Sequence, residues 1–341
     1  MVKTIDEIPM NNSFKALVVT EQEDGTFNRS VRDWSIDDLP DGDVLIEVHY
    51  SSLNYKDALS ATGNKGVTRD FPHIPGIDAA GKVTNSDDDR FNKGDSVLVT
   101  GYDLGQNTFG GFGEYIRVPA DWIVPIPEKL SMRESMILGT AGFTAAIGVH
   151  HLRHNEIYPD SGNVLVTGAT GGVGSLAIAI LDKLGYEVTA ATGKMDQTDF
   201  LKQMGAASVI HRDEVQDKSS KPLLSGRWAG VIDTVGGIML DTAIRQTKHN
   251  GTVACCGNVL GHELNTNVYP FILRGVTLAG MDSGNCLMDL RKELWNKLSD
   301  DWKPDNLGQL AKTCSLQELN NEIDQILDGK QVGRVLVSLR D

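Results

Sequence analysis

The sequence predicts an α/β protein with a doubly wound parallel-sheet (Rossmann) domain and a second, β-rich domain. Three observations support this prediction: a strand, glycine turn and helix at residues 163–184, short apolar runs alternating with helical segments up to residue 279, and β-rich runs separated by Gly, Pro and Asp before residue 119. The 341-residue length exceeds the size at which single cores stop growing, so two domains are expected.

The β-rich runs come first in the chain. Their Gly, Pro and Asp separators predict a compact, barrel-like antiparallel domain. The glycines at 110–113 lead into a strand, and we interpret them as a turn rather than a phosphate loop. The predicted strands span residues 14–19, 44–50, 77–83, 96–100 and 115–118.

Ser131 and Glu134 form a capping box that predicts a helix and a domain boundary. The predicted domains are a β-rich catalytic domain at 14–135 and 284–341, a nucleotide-binding domain at 136–283, and a leader at 1–13. The six predicted parallel strands span 164–167, 187–191, 208–210, 230–233, 251–255 and 276–279. After them come helices at 287–298 and 316–327, and a strand at 334–339 that is expected to return to the first domain.

The glycine turn follows the apolar run 164–166 and precedes a helical pattern. Aligned to G-x-G-x-x-G it has Ala169, Gly171 and Gly174, with an additional Gly168 before them. Gly171 would let the backbone approach a pyrophosphate, and Gly174 would let the helix pack on the strand. The context predicts a dinucleotide cradle, and a tight turn without a ligand is the weaker alternative.

The end of the second strand distinguishes the two nicotinamide cofactors. An NAD site usually has Asp or Glu there, but this chain has Thr192, Gly193 and Lys194. A hydroxyl, a backbone amide and an ammonium can hold a 2′-phosphate, and Arg212 could add a second cation. The sequence therefore predicts NADP(H), although Lys194 alone could be a solvated surface lysine.

The charge, cysteine content and apolar runs of the chain argue against several classes of binding partner. The chain has 32 Lys and Arg against 46 Asp and Glu, a net charge of -14, which argues against a nucleic-acid or anionic-membrane binder. Its four cysteines lack C-x-x-C spacing, so we expect neither a disulfide framework nor a zinc cluster, and a reducing cytoplasm fits best. With no run of about 18 apolar residues, we expect no membrane span, and residues 1–13 lack a signal-peptide core.

Three histidines lie close together near residue 150. His150 and His154 stand four residues apart, like two metal ligands on a helix, with His151 between them. Without an H-E-x-x-H pattern or a third ligand nearby, we interpret them as helix-end histidines.

The detailed motifs resemble those of the medium-chain dehydrogenase/reductase superfamily. They are similar to its zinc-independent, quinone-oxidoreductase-like branch, and to the NADPH-dependent acrylyl-CoA reductase group within it. The similarity runs from residue 14 to 339 and implies that the β-rich domain is GroES-like and catalytic. The motifs are SSLNYKD at 51–57, IPGID at 74–78, GTAGFTA at 139–145, IDTVG at 232–236 and PFILRGV at 270–276.

The resemblance also implies that no zinc is used. Asn54 replaces the ligand cysteine of zinc alcohol dehydrogenases, residues 76–78 replace their Gly-His-Glu, and 101–113 contain no cysteine. Alcohol oxidation without a Lewis acid loses its route to an alkoxide. Reduction of an activated C=C bond needs less help, because its carbonyl delocalises the incoming charge as an enolate.

The resemblance assigns the site residues. Tyr55 would contact the nicotinamide and orient the substrate carbonyl, while Asn54 and Asp57 would shape the same wall or act as helix caps. The implied cofactor contacts are Tyr55, Thr170, Gly171, Gly172, Val173, Gly174, Thr192, Gly193, Lys194, Arg212, Asn258, Ile272 and Ser283.

The resemblance does not fix the substrate. Acrylyl-CoA-type enoyl thioesters come first, quinones second, and an NADPH-binding protein with little turnover third. A coenzyme A handle needs cations, and Lys56, Lys65, Arg69 and Arg274 are the candidates. We also expect a homodimer formed through the edge strand at 276–280.

Overall fold

A computed structural model describes residues 12–340. The strands within that range are β1 Ser13–Glu21, β2 Phe27–Ser35, β3 Val44–Ser52, β4 Asp78–Ser86, β5 Ser96–Thr100, β6 Tyr115–Val118, β7 Ile123–Pro125, β8 Val164–Val166, β9 Val188–Thr192, β10 Ser208–His211, β11 Trp228–Asp233, β12 Thr247–Cys255, β13 Thr277–Gly280, β14 Ala311–Ser315 and β15 Arg334–Ser338. The helices are α1 Tyr55–Ala61, α2 Met132–His154, α3 Gly172–Lys183, α4 Thr198–Gln203, α5 Gly237–Gln246, α6 Tyr269–Arg274, α7 Met288–Ser299 and α8 Leu319–Leu327.

The six-stranded sheet has the order β10-β9-β8-β11-β12-β13, and all its neighbouring strands are parallel. Its strands are the six predicted apolar runs, with ends that differ by a few residues. The strand order reverses between β8 and β11, which is where doubly wound sheets bind nucleotides, beyond the carboxyl ends of the strands. The predicted α/β fold class is confirmed.

The second large sheet has the order β14-β15-β3-β4-β5-β7, with β6 also paired to β3. The last strand, β15, pairs antiparallel with β3, so the chain returns to its first sheet as predicted. β1 and β2 form a separate two-stranded sheet. The sequence reading missed β2, β7 and β14, because β2 and β14 are largely polar and half-exposed and β7 has only three residues.

Helix α2 joins the two large sheets, since it contacts β3 and β4 of one and β12 of the other. It begins with the predicted capping box, in which the Ser131 hydroxyl accepts from the Glu134 amide and the Glu134 carboxylate accepts from the Ser131 amide. The helix is kinked at Gly139, with φ +50° and ψ -156°. A Cβ at Gly139 would lie 2.5 Å from Asp78 Oδ2, so only glycine fits. The predicted domain boundary at 135/136 falls inside this helix, and both domain boundaries stay predictions.

Further predictions concern the leader, the three histidines and the expected lack of metal and membrane sites. Most of the predicted leader lies outside the described residues, and its last residue, Ser13, begins β1. At the end of α2 the rings of His150 and His154 stack with centroids 6.1 Å apart. Within residues 12–340, no group of three His, Cys, Asp or Glu could hold a metal ion, and no helix is long and apolar enough to cross a bilayer.

Candidate active site

A cleft of about 860 Å³ lies beside the strand-order reversal and receives residues from both large sheets. The six-stranded sheet contributes the glycine turn after β8, the end of β9 and the loops after β10, β11 and β12. The loops after β3 and β5, the residues after β13, and the residues between α8 and β15 also line the cleft, as do side chains of α2 and the first residue of β15.

The glycine turn has the predicted geometry. Gly168 has φ +58°, and the Gly171 amide donates to the Gly168 carbonyl at 2.9 Å. Helix α3 starts at Gly172, so its first backbone N–H groups lie at the cleft, where a helix N-terminus favours an anion. A Cβ at Gly174 would lie 2.4 Å from the Gly168 carbonyl oxygen. Gly174 therefore does not line the cleft, and it serves the close packing of α3 on the turn.

Two cations flank Gly193 at the end of β9. A Cβ on Gly193 would lie 3.1 Å from Arg212 Nε. Lys194, the next residue, donates its Nζ to the Gln331 carbonyl at 2.7 Å and its amide to Thr192 Oγ1 at 3.0 Å. Burial lowers the pKa of Lys194 from its usual value. The sequence did not identify Gln331, because the loop after α8 is brought to β9 only by the return of β15.

Tyr55 is the first residue of α1 and lies in the cleft with 44% of its surface exposed. Among the described residues, its hydroxyl has no hydrogen-bond partner, so it is free to bind a ligand.

The two predicted neighbours of Tyr55 hold the backbone before it. Asp57 Oδ2 accepts from the Asn54 amide at 2.7 Å, and Asp57 Oδ1 accepts from the Ile77 amide at 2.8 Å. Asp57 is fully buried and does not line the cleft. It is therefore not part of the predicted catalytic wall, and it has the capping role that the sequence also allowed. Burial, followed by the charge of Asp78, raises the pKa of Asp57 to about 7.

Asn54 is held between a buried carboxylate and a buried guanidinium. Its Nδ2 donates to Asp78 Oδ2 at 2.7 Å, and its Oδ1 accepts from Arg334 Nη1 at 3.2 Å. Ser52 Oγ bridges the same groups, because it accepts from Arg334 Nη2 at 2.7 Å and donates to Asp78 Oδ2 at 2.6 Å. Thr140, just after the kink in α2, donates its hydroxyl to Asp78 Oδ1 at 2.6 Å. This network fixes the loop that presents Tyr55.

Arg334 and Asp78 were not predicted as site residues. Arg334 is the first residue of β15, some 280 positions from Asn54, and it also lies at the cleft: a Cβ on Gly172 would lie 3.1 Å from Arg334 Nη1. Asp78 was noted only as a replacement for a zinc ligand. Its place in the IPGID motif was the one available signal.

Most of the other predicted residues meet in the cleft. Four do not line it: Asp57 and Gly174, described above, and Asn258 and Ile272. Asn258 lies in a turn whose neighbours Cys256 and Val259 reach the cleft. Ile272 is 67% exposed on α6, because that short helix turns apolar residues outward. The predicted residues that do line the cleft are Asn54, Tyr55, Thr170, Gly171, Gly172, Val173, Thr192, Gly193, Lys194, Arg212 and Ser283.

Of the four candidate cations for a coenzyme A handle, only Lys56 lines the cleft. Lys65 pairs with Glu21 at 2.7 Å, and Arg274 donates to backbone carbonyls. Arg69 is exposed elsewhere on the surface.

Comparison with known proteins gives two family matches and close full-length relatives. Residues 40–128 match the alcohol dehydrogenase GroES-like domain, and residues 172–300 match the zinc-binding dehydrogenase family. A Bacillus subtilis protein that bears the name quinone oxidoreductase YhfP is 46% identical over 331 residues, 97% of this chain and 100% of the relative. Acrylyl-CoA reductase AcuI of Ruegeria pomeroyi is 43% identical over 327 residues, 96% of this chain and 99% of the relative.

Solved structures agree over the same length. The yhdH oxidoreductase of Salmonella enterica in complex with NADP has a TM-score of 0.93 and 45% identity, covering 96% of this chain and 100% of that chain. The Bacillus subtilis protein yhfP, solved with NAD bound, also has a TM-score of 0.93 and 45% identity, covering 96% and 99% of the two chains.

Proposed function

The chain belongs to the medium-chain dehydrogenase/reductase superfamily, with its alcohol dehydrogenase GroES-like and zinc-binding dehydrogenase domains, and we propose that it is an NADPH-dependent reductase of activated C=C bonds. Acrylyl-CoA-type enoyl thioesters are the first substrate class and quinones the second.

The observation that carries this proposal is that one cleft holds both the cations beside Gly193 and the free hydroxyl of Tyr55. Lys194 and Arg212 suit a 2′-phosphate, and Thr192 leaves the strand end without the carboxylate that would repel it. The first turn of α3 suits the pyrophosphate. The donor set therefore fits NADP(H), the cofactor bound in the Salmonella relative.

When bound, NADPH supplies a hydride to the electron-poor carbon of the alkene. Tyr55 donates its hydroxyl to the substrate carbonyl and stabilises the negative charge that develops there. The bonds from Asn54 to Asp78 and Arg334 hold the preceding loop, so this donor is oriented before the substrate arrives.

Zinc independence is part of the proposal. Asn54 and Asp78 stand at two positions where zinc alcohol dehydrogenases carry ligands. Here both side chains are committed to buried hydrogen bonds, with each other and with Arg334 or Ser52. These hydrogen bonds position the loop before Tyr55, and the amide side chain of Asn54 is not a ligand that suits zinc.

Quinone reduction is the second candidate because of the charges at the cleft. Lys56 is accompanied there by Asp103 and Asp282, so this part of the lining has no excess of positive charge. A neutral acceptor needs no phosphate contacts, whereas the phosphates of an enoyl thioester's handle would find no excess of positive charge beside Lys56.

The test is oxidation of NADPH with acrylyl-CoA and with a small quinone in parallel, in chelator-containing buffer. We expect turnover with the thioester, no effect of the chelator, and a fall in kcat of about tenfold or more in Tyr55→Phe. Tyr158→Phe, at an exposed tyrosine outside the cleft, is the matched control. Preference for the quinone would favour the second candidate. NADPH binding without oxidation would favour a binding protein and overturn both reductase assignments.

We further propose a homodimer that works in the cytoplasm with small-molecule substrates. β13 is the edge strand of its sheet, and the exposed Val268, Ile272 and Leu273 lie on or beside the nearby helix α6. An apolar edge of this kind is suited to pairing with a second copy. The four cysteines are all free thiols, as a reducing compartment would keep them.

A further inference from the structure

Arg291, on α7, is a fully buried cation that the proposed chemistry does not use. Its Nη1 donates to the carbonyl and hydroxyl oxygens of Thr100 at 2.8 and 2.9 Å. Its Nη2 donates to the carbonyls of Ser283 and Gly284 at 2.9 and 3.1 Å. No carboxylate of the described chain forms a salt bridge with it. One guanidinium thus joins the end of β5, in the seven-stranded sheet, to the segment that follows β13, in the six-stranded sheet.

The same guanidinium lies between two aromatic rings. Arg291 Cζ is 4.6 Å from the ring centroid of Tyr102 and 4.8 Å from that of Phe143. Tyr102 stacks on Trp122 at 5.4 Å with an angle of 4°, and Phe143 stacks on Trp295 at 6.0 Å with an angle of 3°. The planar, delocalised guanidinium of arginine can stack on both rings, whereas the compact ammonium of lysine has no flat face to stack.

Tyr102 is held in a conformation that non-glycine residues rarely adopt, with φ +52°. Its amide donates to the Gly284 carbonyl at 3.0 Å, and a Cβ on the preceding Gly101 would lie 3.0 Å from Gly284 Cα. Such a conformation persists only where the surroundings determine it. Arg291 supplies two of these constraints, because it contacts the Tyr102 ring and binds the carbonyl that accepts from its amide.

Tyr102, Ser283 and Gly284 line the cleft together with Tyr55. Tyr55 and Tyr102 come from loops of the seven-stranded sheet, whereas the cations suited to the cofactor phosphate come from the ends of β9 and β10. We propose that Arg291 is a positioning residue that fixes Tyr102 and Gly284 as the acceptor wall of the cleft, while its bond to the Ser283 carbonyl leaves the Ser283 side chain available for the expected cofactor contact. The inference rests on the proposed function and adds to it a residue that governs acceptor binding through Tyr102.

Three variants test the inference. Arg291→Lys keeps the charge but loses the fork of donors, and Tyr102→Leu removes the ring. Tyr158→Leu, which removes an exposed tyrosine ring outside the cleft, is the matched control. For the first two we expect the KM for the acceptor to rise about tenfold, while the Kd for NADPH, measured by fluorescence, stays within about twofold. Tyr158→Leu should behave as the wild type, because Tyr158 is exposed and lies outside the cleft lining. The double variant R291K/Y102L should be no worse than either single variant, since the two residues act as a unit.

Because Arg291 is fully buried, Arg291→Lys also lowers the stability of the fold, so the melting temperature of each variant is measured together with its KM. Thr100→Val, which removes only one hydroxyl acceptor, should raise the acceptor KM in the same direction by about threefold. An unchanged acceptor KM in Tyr102→Leu and Thr100→Val, or an equal loss of NADPH affinity, would overturn the assignment. Wild-type protein that binds NADPH but reduces no acceptor would overturn the proposed function together with this inference. An active wild type with unaffected variants would overturn the inference alone.

Discussion

Asn54 Nδ2 donates a 2.7 Å hydrogen bond to Oδ2 of Asp78, a carboxylate with no exposed surface. This bond ties the loop that ends β3 to β4. The same carboxylate accepts from the Thr140 amide at 3.0 Å, where α2 restarts after its kink. One buried side chain therefore sets the position of Tyr55 and the direction of the helix that joins the two large sheets.

Asp78→Asn should destabilise the protein by about 3–5 kcal/mol, because it leaves the buried Arg334 without its carboxylate and turns an NH₂ group toward other donors. Urea unfolding measures the change. Asp41→Asn, at an exposed aspartate, is the control and should stay within about 0.5 kcal/mol of the wild type. A loss of less than about 1 kcal/mol in Asp78→Asn would contradict the role given to this network.

Asp57 should make stability fall as pH rises. Its pKa is raised from 3.8 to about 7 in the folded protein, so the folded state keeps a proton that the unfolded state releases. The stabilisation is complete below the unfolded pKa and is lost as pH rises through the folded pKa. Between about pH 4 and about pH 7, the wild type should lose a few kcal/mol of unfolding free energy relative to Asp57→Asn, which cannot ionise.

Urea unfolding at a series of pH values checks the prediction for Asp57. Asp70→Asn, at an exposed aspartate, should keep the wild-type slope. Parallel curves for the wild type and Asp57→Asn would show that the carboxyl is already ionised throughout this range.

The pair flanking Gly193 should select NADPH over NADH. Lys194→Ala and Arg212→Ala should each raise the Kd for NADPH about tenfold or more, since each removes a charge-assisted hydrogen bond worth about 1.5–3 kcal/mol. The Kd for NADH should change by less than about twofold, because NADH has no 2′-phosphate. Fluorescence titration measures both, with the exposed Lys202→Ala as control. Equal losses for the two cofactors would place these residues elsewhere on the nucleotide.

Much of the fold could be predicted from local patterns, because each buried parallel strand is a short apolar run and each glycine turn has its own signature. The glycine turn, the capping box at Ser131 and the strand that returns at Arg334 were found in this way. β2 was missed because its polar, half-exposed residues show no alternation. Its stability comes from pairing with β1, which a single segment of sequence does not reveal.

The cleft lining could be predicted only where a motif or a strand end carried the signal, as at Tyr55, Thr192 and Lys194. Asp78, Arg291 and Arg334 are fully buried charged residues, and the general expectation for charged side chains is exposure. They can be buried because partners as far as 282 positions away bind them, as Ser52 does for Arg334. Asp57 could be expected either in the cleft wall or as a helix cap, because the two look alike in sequence, and its hydrogen bonds to the Asn54 and Ile77 amides are those of a cap.

The exposed face of α6 should be the interface between two copies of the chain. Ile272→Lys places a charge where the proposed dimer buries an apolar side chain, so it should shift the protein from dimer to monomer at micromolar concentration. Light scattering measures the mass, and Tyr158→Lys, at another exposed residue, should leave it unchanged. The Kd of Ile272→Lys for NADPH should stay within about twofold of the wild type, because Ile272 lies outside the cleft lining. A monomeric wild type would refute the homodimer. A dimeric Ile272→Lys would move the interface to another surface, and weaker NADPH binding by that variant would restore the cofactor contact expected from sequence.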